Sequence, residues 1–72
     1  MDIEIEDRLQ EIYTNLEIEV NYAEIRKYYI HIIINDKLYK LLFKYDAHYT
    51  FDANINSLVQ EIDKCILNYF RK

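Results

Sequence analysis

The chain has 72 residues and a mass of 8.9 kDa, with 51% apolar and 31% charged residues and a formal net charge of −4. This composition is typical of one small folded domain and not of a disordered chain. The sequence contains neither glycine nor proline. Phosphate-binding glycine loops, dinucleotide-binding turns and the nucleophile elbow of hydrolases all need glycine at a fixed place, so these classes of site are excluded.

The first predicted element is an amphipathic helix over about residues 3–15. Its apolar stripe has helical spacing and consists of Ile5, Leu9, Ile12 and Leu16, with Tyr13 beside it. The opposite face carries the carboxylates Glu4, Asp7 and Glu11 at i, i+3 and i+7. Acidic residues near a helix N-terminus also interact favourably with the helix dipole, so part of this charge has a structural use.

Three strands are predicted next, because the apolar period changes to two. In the first, Ile18, Val20 and Tyr22 alternate with polar residues. The second covers about 27–35, with Tyr28, Ile30, Ile32 and Ile34 on one face and Tyr29, His31 and Ile33 on the other. Asn35 and Asp36 are the predicted turn, since both residues tolerate the left-handed region. The third covers about 38–45, with Tyr39, Leu41, Phe43 and Tyr45 inward and Leu38, Lys40, Leu42 and Lys44 outward.

A loop over Asp46–Asp52 leads to a second helix with Asp52 or Asn54 as its predicted N-cap. Its apolar residues keep a helical period: Ile55, Leu58, Val59, Ile62, Ile66, Tyr69 and Phe70. The order α-β-β-β-α predicts an α+β fold in which a three-stranded antiparallel sheet carries both helices on one face. No linker or repeat divides the chain, so residues 1–72 are expected to form a single domain.

The residue types that usually carry catalysis or bind metals are few and scattered. His31, His48 and Cys65 do not share the close spacing of a zinc site, and the pair Asp46 and His48 is more typical of a polar turn. Cys65 lies at the edge of an apolar stripe, where cysteine is usually a small buried hydrophobe. Ser57 is predicted in the first turn of the second helix, where serine serves local hydrogen bonding. We therefore expect no catalytic residue, no metal and no cofactor, and a protein that is not an enzyme.

The location predicted from the sequence is the cytoplasm of a host cell. A single cysteine cannot form an internal disulfide, which is consistent with a reducing compartment. No apolar run reaches the roughly 18 residues that span a bilayer, and the first residues are acidic where a signal peptide would be basic. No association with a membrane is expected.

The charge is divided unevenly along the sequence. Residues 1–24 contain eight acids and one base, whereas residues 25–72 contain eight bases and five acids. One hypothesis is that the acidic residues of the first helix and first strand form a row that imitates the phosphates of a nucleic acid and binds a basic cleft. This row would consist of Glu4, Asp7, Glu11, Glu17 and Glu19. The alternative is that these carboxylates simply keep the helix face in water.

The outward face of the predicted sheet is a second candidate surface. Tyr29, Ile33, Leu38 and Leu42 make it too apolar for water, which favours a protein partner or a second copy of the chain, with scattered exposure as the alternative. A third hypothesis is single-stranded nucleic-acid binding through Tyr29, His31, Lys40 and Lys44. The acids Glu17 and Glu19 on the same face and a pI of about 5.0 argue against direct binding of nucleic acid.

The order of elements resembles that of certain small phage-encoded anti-CRISPR proteins. The likeness covers Glu6–Ile12, the three strands and the long final helix, and it rests on architecture, size and charge without a specific motif. It implies an acidic inhibitor that occupies the site where an RNA-guided nuclease reads its protospacer-adjacent motif. The leading hypothesis is therefore a phage or mobile-element protein that binds and inhibits a nucleic-acid-handling host protein, such as a CRISPR effector. The alternative is a homo-oligomeric accessory or structural module, such as a homodimer, that pairs through the exposed sheet face.

Overall fold

The computed structural model describes the backbone of residues 1–71 and the side chains of residues 1–69. Its elements in chain order are α1 (Asp2–Ile12), β1 (Glu17–Glu24), β2 (Lys27–Ile34), β3 (Lys37–Lys44) and α2 (Phe51–Arg71). The strands form one antiparallel sheet in the order β1-β2-β3. The predicted α+β fold and its α-β-β-β-α order are confirmed.

The core lies between the sheet and the two helices, which pack on the same sheet face. Alternate residues of the strands point toward the helices because successive side chains of a strand point to opposite faces. The fully buried or nearly buried apolar side chains are Ile5, Leu9, Ile18, Val20, Tyr28, Ile30, Ile32, Ile34, Phe43, Ile55, Leu58 and Ile62. The strands therefore supply seven of these twelve side chains from one sheet face, and the opposite face is left outside the core.

Helix α1 is shorter than its apolar period predicts. It ends at Ile12, and the amide of Gln10 holds the following turn by donating to the carbonyl oxygens of Tyr13 and Leu16 at 2.9 and 2.7 Å. The side chain of Ile12 is 46% exposed, so its predicted place in the core is wrong. Leu16 lies beyond the helix and is partly buried against the core.

Contacts between α1, the residue that follows it, and α2 show that the two helices run in the same direction. Arg8, past the middle of α1, lies with its Nη1 2.8 Å from Oδ1 of Asp52 at the start of α2. Tyr13, just after the end of α1, donates its hydroxyl to Oδ1 of Asp63, farther along α2, at 2.6 Å. Burial, together with this bond to the Asp63 carboxylate, raises the pKa of the Tyr13 hydroxyl.

Helix α2 begins at Phe51, earlier than predicted, and its N-cap is Thr50. The Thr50 hydroxyl accepts a hydrogen bond from the backbone N–H of Ala53 at 3.1 Å, as an N-cap side chain does. The prediction of Asp52 or Asn54 as the N-cap is wrong. Asn54 is instead buried and bonded to the preceding loop, and Ser57 lies in the second turn rather than the first.

Both hairpins are built without glycine. Asn35 and Asp36 have φ values of 49° and 65°, so the predicted turn between β2 and β3 is confirmed as one with two left-handed residues. The turn between β1 and β2 places Arg26 at a φ of 61°. Unlike Asn and Asp, arginine has no short polar side chain to stabilise this conformation, which costs an ordinary residue about 1–2 kcal/mol.

Replacing Arg26 with glycine is expected to stabilise the protein by about 0.5–1 kcal/mol, because glycine adopts positive φ freely but is more flexible in the unfolded chain. The bond from the Tyr45 N–H to the Arg26 carbonyl, at 2.7 Å, uses backbone atoms and is kept. Urea unfolding of the two proteins measures the difference. Ile25→Gly is the control: φ at Ile25 is not positive, so this variant should be destabilised. Equal effects of the two substitutions would contradict the explanation.

Candidate protein-binding surfaces

The sheet face opposite the helices is covered by no element that the structure describes. We call it the open sheet face. Its residues are Glu17, Glu19 and Asn21 of β1, Lys27, Tyr29, His31 and Ile33 of β2, and Leu38, Lys40, Leu42 and Lys44 of β3. Three of the apolar members are substantially exposed, with Tyr29 at 41%, Leu38 at 59% and Leu42 at 47%. This is the surface on which the sequence places Tyr29, Ile33 and Leu42 together.

The strand register arranges the open sheet face in three rows that cross all strands. Given in the order β1, β2, β3, the first row is Glu17, Ile33 and Leu38. The middle row is Glu19, His31 and Lys40, and the third row is Asn21, Tyr29 and Leu42. Carboxylates therefore lie along the β1 edge and ammonium groups along the β3 edge. An apolar and aromatic band separates them, so the face is polarised from one edge to the other.

The centre of the open sheet face holds two further interactions. Lys40 Nζ lies 5.3 Å from the centroid of the Tyr29 ring, which keeps the lysine over the face through a cation–π contact. His31 Nδ1 lies 3.4 Å from the amide nitrogen of Asn21, whereas His31 Nε2 is buried and has no hydrogen-bond partner among the residues that the structure describes. The row of Glu19, His31 and Lys40 thus contains a lysine in contact with an aromatic ring and an imidazole nitrogen without a hydrogen-bond partner in the described residues.

The second candidate surface is the exposed side of α1, formed by Glu4, Asp7 and Glu11, which we call the acidic helix surface. All three residues are exposed. Glu4 lies 3.0 Å from the N-terminal ammonium group, and this hydrogen bond lowers the pKa of the Glu4 carboxyl. Within the described residues, the carboxylates of Asp7 and Glu11 have no ion pair or hydrogen bond.

The fold divides the predicted row of five carboxylates into two parts. Helix α1 packs beside β1 on the inner side of the sheet, where Glu6 Oε1 accepts a hydrogen bond from the Val20 N–H at 2.9 Å. Glu17 and Glu19 point to the other side of β1, since their neighbours Ile18 and Val20 are buried against the helices. The acidic helix surface and the two strand carboxylates therefore lie on opposite sides of the β1 edge.

A pocket that the sequence did not indicate lies between the end of β3 and the start of α2. Its volume is about 450 Å³, and its lining consists of Phe43, Lys44, Asp46, Tyr49, Ala53, Asn54 and Ser57. Two of the polar groups there already stabilise the loop, because Asp46 Oδ1 accepts from the His48 N–H and the Asn54 amide bonds Asp46 and Thr50. Two of the polar side chains that line the pocket are therefore already engaged in hydrogen bonds within the protein.

The other residues considered for chemistry lie apart. Cys65 is partly buried on α2, whereas His48 and Ser57 are exposed. In the described part of the chain, no three His, Cys, Asp or Glu residues are grouped as a metal site requires. Neither described helix combines the length and apolar character needed to cross a membrane.

Comparison of the chain with protein-family models, with curated proteins and with solved structures gives no match.

Proposed function

We propose that the chain is a small acidic phage or mobile-element protein that inhibits a nucleic-acid-handling host protein by occupying its basic surface. The observation that supports this proposal best is that the carboxylates of Asp7 and Glu11 are exposed and have no ion pair within the described residues. Several surface acids have a cation nearby, as Asp52 has Arg8. Asp7 and Glu11 are exposed and have no such partner in the described residues, so their charge is available to a basic surface.

The spacing of the acidic helix surface also supports nucleic-acid mimicry. With a rise of about 1.5 Å per residue, the distance from Glu4 to Glu11 along the helix axis is about 10 Å. One strand of DNA carries a phosphate about every 3.4 Å of axis, so it presents about three charges over a similar length. The three carboxylates therefore have a spacing similar to that of three phosphates on one strand, and two of them, Asp7 and Glu11, have no ion pair within the described residues, whereas Glu4 is paired with the N-terminal ammonium group.

A CRISPR effector is one class of target that the negatively charged acidic helix surface would bind. Such a nuclease has basic channels that hold nucleic-acid backbones, and an acidic helix placed there would compete with the phosphates. Attraction between opposite charges would also accelerate the encounter. The resemblance in layout and charge to small anti-CRISPR proteins supports this choice among nucleic-acid-handling targets.

The experiment is a pull-down from host lysate with tagged protein, quantified by mass spectrometry. Asp7→Lys with Glu11→Lys reverses the acidic helix surface and raises the net charge from −4 to zero. The control carries Asn56→Lys, Gln60→Lys and Glu61→Lys on the exposed side of α2, which gives the same net charge. We expect capture to fall at least tenfold for the first variant only, because close charge pairs at interfaces are worth about 1.5 kcal/mol or more each.

Two outcomes of this pull-down would contradict the proposal. In one, the reversed variant captures the same partner as the original chain at the same level. In the other, the α2 control loses the partner equally, which would show that net charge rather than the acidic helix surface determines capture.

A further inference from the structure

We propose that the open sheet face binds a second copy of this chain, in a dimer whose two-fold axis runs parallel to the strands. This inference goes beyond the proposed function and does not depend on it, because the acidic helix surface lies on the other side of the β1 edge. The occupant is identified by the distribution of charge on the face itself.

A two-fold axis in the plane between two sheets can be oriented in two simple ways. An axis along the strands, centred on β2, places β1 of one copy over β3 of the other and keeps each row opposite itself. Glu19 then faces Lys40 of the second copy, and Lys40 faces Glu19. An axis across the strands instead places β1 over β1, so that Glu19 would face Glu19. Only the first arrangement pairs Glu19 with Lys40, and like charges placed opposite each other oppose association. The first arrangement also places Lys27 over its counterpart at the end of β2, but each Lys27 is paired with Glu24 of its own copy at 2.7 Å.

The apolar band is consistent with the same arrangement. With the axis along the strands, Tyr29 and Ile33 each face their counterparts at the centre, while Asn21 faces Leu42. Aligned sheets pack face to face at about 10 Å, with their strands rotated by about 30°. The exposed parts of Tyr29 and Leu42 would then be removed from water at the centre of the dimer.

The monomer leaves the charged groups of the middle row free to pair. Glu19 and Lys40 have no ion pair among the described residues, and they belong to β1 and β3, which are separated by β2. The contact of Lys40 with the Tyr29 ring holds the lysine over the face before association. Pairing through the β1 edge is less favourable, because the Glu6 carboxylate already accepts from the Val20 N–H.

The size of the open sheet face indicates a weak dimer. Three strands of eight residues cover roughly 14 by 27 Å, or roughly 400 Å². A standard stable interface buries about 800 Å² on each partner. We therefore expect a dimer that dissociates on dilution through the micromolar range, and not a permanent one.

Sedimentation equilibrium from about 10 μM to 1 mM tests the proposal. The original chain is expected to show a reversible monomer–dimer equilibrium. Glu19→Lys and Lys40→Glu should each raise the dissociation constant at least tenfold, because each places like charges opposite each other in two symmetric contacts. Combining the two substitutions exchanges the charges and should restore the dissociation constant to within about threefold.

The control is Lys64→Glu on α2, where the side chain is 72% exposed and distant from the open sheet face. It should leave the dissociation constant unchanged, and circular dichroism should show that all variants are folded. A chain that remains monomeric at 1 mM overturns the proposal. Single reversals without effect would also overturn it, because an axis across the strands would keep like charges opposite each other in every variant. Failure of the double variant to recover is a third contrary result.

Discussion

Replacement of Ile30 with alanine is expected to cost about 3–4 kcal/mol of unfolding free energy, because the side chain is large and fully buried. Ile30 lies in the central strand between Val20 and Leu41, so the surrounding sheet has little freedom to close the cavity. A domain of this length has a total stability of only about 4–10 kcal/mol. The thermal midpoint, measured by circular dichroism, should fall by at least about 12 °C.

Ile33→Ala is the matched control for this substitution. It makes the same chemical change in the same strand, but Ile33 lies on the open sheet face and is only partly buried. We expect a loss of no more than about 1.5 kcal/mol in dilute solution, since less apolar surface leaves water there. Equal destabilisation by the two substitutions would mean that the open sheet face is as densely packed as the core, and would contradict the location of the core between the sheet and the helices.

Replacement of Asn54 with alanine is expected to destabilise the protein by about 2–3 kcal/mol, since buried polar groups lose their partners. Asn54 is 4% exposed, and its amide oxygen accepts from the Asp46 N–H at 2.8 Å. Its amide nitrogen donates to the carbonyl oxygens of Asp46 and Thr50, both at 2.9 Å. These three bonds fix the loop before α2 to the first turn of that helix. Urea unfolding with extrapolation to water measures the loss.

Asn56→Ala is the control for the loss of Asn54. It lies two residues later on the same helix, is exposed, and makes no side-chain hydrogen bond in the described residues. Alanine has the higher helix propensity, so this variant should be slightly more stable than the original chain. If Asn54→Ala lowers the free energy of unfolding by no more than Asn56→Ala changes it, the three hydrogen bonds of Asn54 contribute little to stability.

The sequence was sufficient to predict the elements whose pattern is local. Alternating residues identify β2, because Tyr28, Ile30, Ile32 and Ile34 are all buried against the helices. The turn at Asn35 and Asp36 was equally accessible, since it depends on what these residue types allow in the backbone. Such features need no knowledge of which element packs against which.

The errors arose where tertiary contacts decide between local alternatives. Thr50, Asp52 and Asn54 are all good N-cap residues, and only the loop at Asp46 determines that Asn54 turns inward. Tyr22 follows the inward alternation of β1 but is 59% exposed, because it lies at the register shift near the strand end and stacks on the edge of Tyr28.

The candidate surfaces were predicted in composition but not in arrangement. Strand alternation alone places Tyr29, Ile33 and Leu42 on one face. Joining Glu17 and Glu19 to the helix carboxylates required knowing on which side of the sheet α1 packs. That side is determined by the burial of Ile5 and Leu9 against the inner face, which separates the acids into two groups.

The salt dependence of partner capture tests the central proposal most directly. The pull-down with the original chain is repeated at about 0.15 M and about 0.5 M salt, where charge interactions are screened beyond roughly 8 Å and roughly 4 Å respectively. If the acidic helix surface occupies a basic site, the partner captured at the lower salt should be lost at the higher. A partner retained at both salt concentrations, or no partner at the lower one, would contradict the account.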